Sequence, residues 1–182
     1  MATSRSTGYL VTAAIWNALF TKIDDNGTLN SPLVFPAVQS ASTNANTLDD
    51  YEEGTWTPVI GAHTATSGQT YGTQTGLYVK IGQLIVAQFI ASLTAKGTLT
   101  GNVQIQGLPF TTHATDARGS YALQFGGMAT NWIYITAAVD ANATTAGVRG
   151  SAAAAAALST VVAADISDTT ELRGAIIYRA SA

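Results

Sequence analysis

From Thr55 onward the chain either alternates apolar and polar residues or sets short apolar runs between turn residues. A period of two marks half-buried β-strands. The predicted strands span 55–60, 76–81, 84–93, 102–108, 120–126 and 131–139, a weaker one near 145–150 and a last one at 172–179. Within 76–81, Leu77, Val79 and Ile81 share one face while Tyr78 and Lys80 share the other. Within 172–179, Leu172, Ile176 and Tyr178 lie opposite Arg173, Ile177 and Arg179. Gly82-Gln83 fits a tight hairpin and Ala95-Lys96-Gly97 a short turn. Pro58 confines the first strand to an edge or a bulge. About eight antiparallel strands suggest a mainly β fold, a jelly-roll-like sandwich knob. The Thr- and Gly-containing stretches 61–75 and 111–119 are predicted long loops, where contacts with a partner would vary.

The front end keeps a different period. Ile15, Trp16, Leu19, Phe20 and Ile23 fall at helical spacings and form one apolar stripe, with Asn17, Thr21, Lys22 and Asp24 on the other side. Thr12 is a candidate N-cap and Asn26-Gly27 a left-handed stop, so the spacing predicts a helix over about 12–25. Pro32 and Pro36 bracket Leu33-Val34-Phe35 and favour an extended arm over 28–47. A helix this short is marginal alone and must pack on something. It either docks on its own β domain or, the preferred reading, packs with the arm against symmetry mates or a particle surface. The chain thus divides into an N-terminal anchor, 1–47, and a β knob, 48–182, with Ile15, Trp16, Leu19, Phe20, Ile23, Leu33, Val34 and Phe35 as the attachment and oligomer interface.

Between these parts stands Leu48-Asp49-Asp50-Tyr51-Glu52-Glu53-Gly54-Thr55-Trp56-Thr57-Pro58. It is followed in order by Gly76-Leu77-Tyr78-Val79-Lys80-Ile81-Gly82, by Gly107-Leu108-Pro109-Phe110, and by a closing Tyr178-Arg179-Ala180. Together these segments resemble a domain family found in many virion proteins of tailed bacteriophages, usually tail fibre or tail proteins. The resemblance covers about residues 48–182. It implies a β fold and virion membership, and it implies no catalysis.

Composition narrows the partners. Charged residues are only 10% of the chain, against roughly a quarter in an ordinary soluble protein. So few charges leave little to keep copies apart, and an obligate oligomer is expected; within the virion reading it is a homotrimer of closed symmetry. A net charge of −3 supplies no basic patch for nucleic acid. No apolar run approaches the ~18 residues of a membrane span. The apolar stretch from Tyr9 to Phe20 is interrupted by Thr12 and Asn17 and leads into Lys22 and Asp24, unlike a signal peptide. A protein made in the host cytoplasm and assembled into a virion is expected. The absence of cysteine excludes disulfides and thiol chemistry.

Candidate chemistry is sparse. The acidic run Asp49, Asp50, Glu52 and Glu53 lacks the alternating spacing that wraps calcium. It reads as a solvated corner or a partner for Arg118, Arg149 or Lys22, and adjacent carboxylates do not make a glycosidase cleft. His63 and His113 read as surface loop residues without a third metal ligand. Trp56, Trp132, Tyr134 and Tyr178 read as core, although an exposed Trp-Tyr pair could stack on a sugar. Ala152 to Ala157 has helical propensity between sheet-like neighbours, and a packed loop or strand at a trimer seam is expected. No enzyme, metal or cofactor is expected. The leading expectation is a virion structural protein, a capsid decoration or cement protein whose partner is the major capsid protein or another virion protein. The alternative is a tail fibre or receptor-binding tip that holds a host surface glycan.

Overall fold

The computed structural model describes residues 50–115, 120–154 and 157–181, all within the compact unit Gln39–Ala182. The predicted helix 12–25, the arm 28–47 and the proposed interface residues Ile15 to Ile23 and Leu33 to Phe35 lie outside the described residues.

The described residues are mainly β, as the alternation predicts. The strands are β1 (Tyr51–Trp56), β2 (Val59–Ala62), β3 (Ala65–Ser67), β4 (Thr70–Ile81), β5 (Leu84–Ala95), β6 (Thr98–Thr100), β7 (Val103–Gln106), β8 (Ser120–Gly126), β9 (Tyr134–Val139), β10 (Thr145–Ser151), β11 (Ser159–Thr160) and β12 (Glu171–Arg179). A short 3-10 turn, Ala163–Asp165, precedes β12.

One antiparallel sheet runs β1-β4-β5-β12-β8-β9-β10-β7-β2, with β11 added to β10, while β3 and β6 form a separate ribbon. Ile60 of β2, Phe89 of β5, Val103 of β7, Ile135 of β9 and Ile176 of β12 all belong to a single buried cluster. The sheet therefore curls over its own core, and the layers of the predicted sandwich are two halves of one sheet. β8 joins them, pairing with β12 on one side and β9 on the other. The strands at the two ends, β1 and β2, are consecutive and separated only by Thr57-Pro58.

Pro58 explains a correction. The predicted single strand 55–60 is two strands, because a residue without an N–H interrupts a ladder. Before it, Trp56 pairs opposite Gly76 of β4; after it, Val59 pairs opposite Gln106 of β7. The acidic run is corrected as well, since Tyr51 to Glu53 are the start of β1 and not a solvated corner. Stretch 61–75 is not a long loop; it holds the end of β2, all of β3 and the first half of β4. Ala152 to Ala154 form exposed bends and a turn, not a helix. The Gly82-Gln83 hairpin is as predicted, with Ile81 opposite Leu84 and Gly82 at φ 57°. That positive φ matches the right-handed twist of the strands it joins.

Candidate functional site

Segments 50–58, 76–82 and 107–110 and Tyr178 meet at one place in the sheet. In the β1–β4 pair, Glu52 lies opposite Lys80, Gly54 opposite Tyr78 and Trp56 opposite Gly76. Alternation turns Glu52, Gly54 and Trp56 to the inner face of β1, and Tyr78 and Lys80 to the inner face of β4. The side chains then pair diagonally. Lys80 Nζ forms an ion pair with Asp50, and the Tyr78 hydroxyl donates to the Glu52 carboxylate. The two glycines make room for the aromatics. A Cβ on Gly54 would sit 2.6–2.7 Å from the Tyr78 ring and hydroxyl, and one on Gly76 would sit 2.5–2.6 Å from the Trp56 indole. With Gly76 bare, Trp56 crosses β4 and its Nε1 donates to Gln88 O of β5 at 3.1 Å.

The later segments close the cluster. The Phe110 ring packs edge-on to Tyr78, with centroids 5.2 Å apart, and Lys80 Nζ stands 5.1 Å from its centroid. The Tyr178 hydroxyl donates to Phe110 O at 3.0 Å and accepts from Phe110 N at 3.1 Å. Two phenols of the cluster are strongly raised. The hydrogen bond to Glu52, aided by burial, pushes Tyr78 up to about 12. Burial pushes Tyr178 up to about 12 against the opposing backbone hydrogen bond. Glu52 and Lys80 each engage a partner in the cluster, so the arrangement clasps β1, β4, the 107–110 segment and β12 together. The acid's partner is thus Lys80. It is not Arg149 as expected from sequence, and Lys22 and Arg118 lie outside the described residues.

With Tyr78 and Lys80 turned inward, β4 presents its apolar side outward. Leu77, Ile81, Leu84 and Ile177 are 53%, 47%, 49% and 40% exposed. Register places Ile81 beside Leu84, Val79 beside Val86, and Val86 beside Ile177, giving one continuous apolar surface across β4, β5 and β12. Glu53 of β1 stands at one side of it, and Arg173 and Arg179 of β12 at the other.

A groove of about 430 Å³, lined by both polar and apolar residues, lies on the outer face of the other half-sheet. Its walls include His63, Gln104, Asp140, Thr145, Arg149 and Thr160, over Gly147. Gln104 Nε2 and Thr145 Oγ1 donate to Asp140 Oδ2 at 3.1 and 2.9 Å and fix that carboxylate. Sequence reasoning considered His63 and Arg149 in other roles and missed Gln104, Asp140, Thr145 and Thr160. The one legible signal was Gly147 inside a strand pattern, which marks a position where another group can approach the backbone closely. His63 is exposed and His113 half-buried, with its Nδ1 facing Thr115 N at 3.2 Å. Trp132 packs over Gly150 and is half-buried, whereas Tyr134, expected in the core, is 47% exposed because it stands on the outer side at the start of β9. Among the described residues no group of three or more His, Cys, Asp or Glu is placed to hold a metal ion. No family model, curated protein or solved structure matches the chain.

Proposed function

We propose that this chain is a non-enzymatic structural protein of a bacteriophage virion: a homotrimeric knob on the particle surface that acts as a capsid decoration or cement protein. Attachment runs through Ile15, Trp16, Leu19, Phe20, Ile23, Leu33, Val34 and Phe35, against the major capsid protein or another virion protein. The observation that carries the reading is the inverted β4 strand, which leaves Leu77, Ile81, Leu84 and Ile177 on an outer face of a chain with few charges. Contiguous apolar surface of this kind belongs to interfaces. Completing the burial of a Leu or Ile contributes up to about 1.5–3 kcal/mol per side chain, and a closed ring repeats the gain at each seam. Glu53 on one flank and Arg179 on the other suit head-to-tail packing of copies, the arrangement a threefold ring needs, while Arg173 is engaged by Glu171 within the chain. The convergence of the family-like segments in one clasp adds support, because the resemblance then extends to residues that touch.

A second reading, a receptor-binding tip on a tail fibre, is favoured by the groove at Asp140 and Arg149. Labelled protein incubated with heads lacking it, and separately with host cells, distinguishes the two. Saturable capture by heads, lost in Trp16→Ser/Phe20→Ser while the knob stays folded by circular dichroism, is the expected result. Normal decoration by that double variant would refute the anchor. Capture by cells alone would establish the tip.

A further inference from the structure

The groove beside Asp140 sets polar side chains among apolar wall residues, Val103, Ala143 and Val148. Its floor is backbone at Gly147, and its walls carry mixed hydrogen-bonding groups: an imidazole, an amide, hydroxyls, a carboxylate and a guanidinium. Asp140 is held by its Oδ2, through Gln104 and Thr145, while Oδ1 faces the floor, 4.0 Å from where a Gly147 Cβ would stand. A carboxylate oriented in this way accepts from a bound hydroxyl at no cost in side-chain ordering. Arg149 stands two residues along β10 on the same face, is exposed, and makes no ion pair among the described residues. A held acceptor and a guanidinium with no ion pair among the described residues, lining one groove, suit a ligand with a hydroxyl for the first and an anionic group for the second. The groove volume is at the scale of small-ligand pockets, which run about 300–1,000 Å³.

We infer that the groove between Asp140 and Arg149 binds a carboxylate-bearing saccharide, its acid group on Arg149 and a ring hydroxyl on Asp140 Oδ1. The inference extends the receptor-binding reading and is independent of how the chain attaches to a particle. Gly147 supplies a clean block. Its Cβ would meet only Ala138 O at 3.9 Å and Asp140 Oδ1 at 4.0 Å, so a β-carbon fits there without displacing the sheet and carries any further atoms towards Asp140 in the groove. Valine is also well suited to a strand.

The test is saturation-transfer NMR and titration calorimetry of the full chain with sialyllactose and with digalacturonate, against lactose as the neutral control. Saturable binding of one of the acidic sugars is expected, at least about tenfold tighter than lactose. Arg149→Gln removes that preference, and Gly147→Val abolishes binding with an unchanged thermal midpoint. No binding of either acidic sugar, equal binding of lactose, or binding that survives Gly147→Val each overturns the inference. Head capture, measured separately, is unaffected by any of these outcomes.

Discussion

At the scale of single residues, the clasp makes two glycines indispensable for a steric reason. Neither Gly54 nor Gly76 has a positive φ, so a larger residue fails there by collision and not by backbone strain. Gly54→Ala drives a methyl into Tyr78, and Gly76→Ala drives one into Trp56. Each is expected to lower stability by about 1–3 kcal/mol in urea unfolding, the usual cost of overpacking. In a double-mutant cycle, the cost of Gly54→Ala should shrink once Tyr78 is Ala; additivity would disprove the collision. The phenols give a pH signature. An unfolded tyrosine ionises near about 10, whereas native Tyr78 and Tyr178 hold their protons up to about 12. The folded value is raised, so the contribution is complete below about 10 and is lost as pH climbs from there towards 12. Tyr78→Phe is expected to flatten the decline of the unfolding midpoint across that window. It should cost about 1 kcal/mol at neutral pH through the lost hydrogen bond to Glu52. An unchanged alkaline slope would count against Tyr78 as its source.

At the scale of elements, alternation in the sequence located most strands but did not tell which face of each was inside. In β5 the apolar pattern and the burial coincide, since Ile85, Ala87, Phe89, Ala91 and Leu93 are buried in strict alternation. For β4 the apolar set Leu77, Val79 and Ile81 is the outer one, because Asp50, Glu52 and Phe110 give Tyr78 and Lys80 partners on the inner side. Those partners lie up to 32 residues away in sequence, as Phe110 does from Tyr78, beyond what a local pattern can register. β1 was hidden for a related reason: its carboxylates read as solvent-facing until Lys80 and Tyr78 are placed opposite them. The inversion leads to a prediction about association. Leu77→Thr with Ile177→Thr removes two exposed aliphatic chains that join no buried cluster. The variant is expected to run as a smaller species in light scattering while keeping its native circular dichroism. An unchanged mass would exclude this face as the seam.

At the scale of the whole molecule, the curled sheet ranks its strands by how completely each is paired. β5 is bonded along nearly its full length to β4 on one side and β12 on the other, and it contributes a row of core side chains. β1 is bonded only to β4 and β2 only to β7, so the sheet begins and ends in two edges that return to each other at Thr57-Pro58. Amide exchange follows local opening, and edge strands open at lower free energy than strands flanked on both sides. The slowest amides are therefore expected in β5 and in the stretch of β12 paired with it, from Glu171 to Arg179, approaching the global unfolding free energy. Those of β1 should exchange sooner. The clasp limits how much sooner: Trp56 reaches across β4 to Gln88 O, so opening β1 from its C-terminal end also breaks a bond to β5. Trp56→Phe keeps an aromatic ring, smaller than the indole, and removes that donor. It should speed exchange across β1 severalfold while leaving β5 unchanged, a pattern readable by native-state hydrogen exchange with mass spectrometry. Equal acceleration of both strands would mean that β1 and β5 open as one unit and that the sheet has no independent edge there.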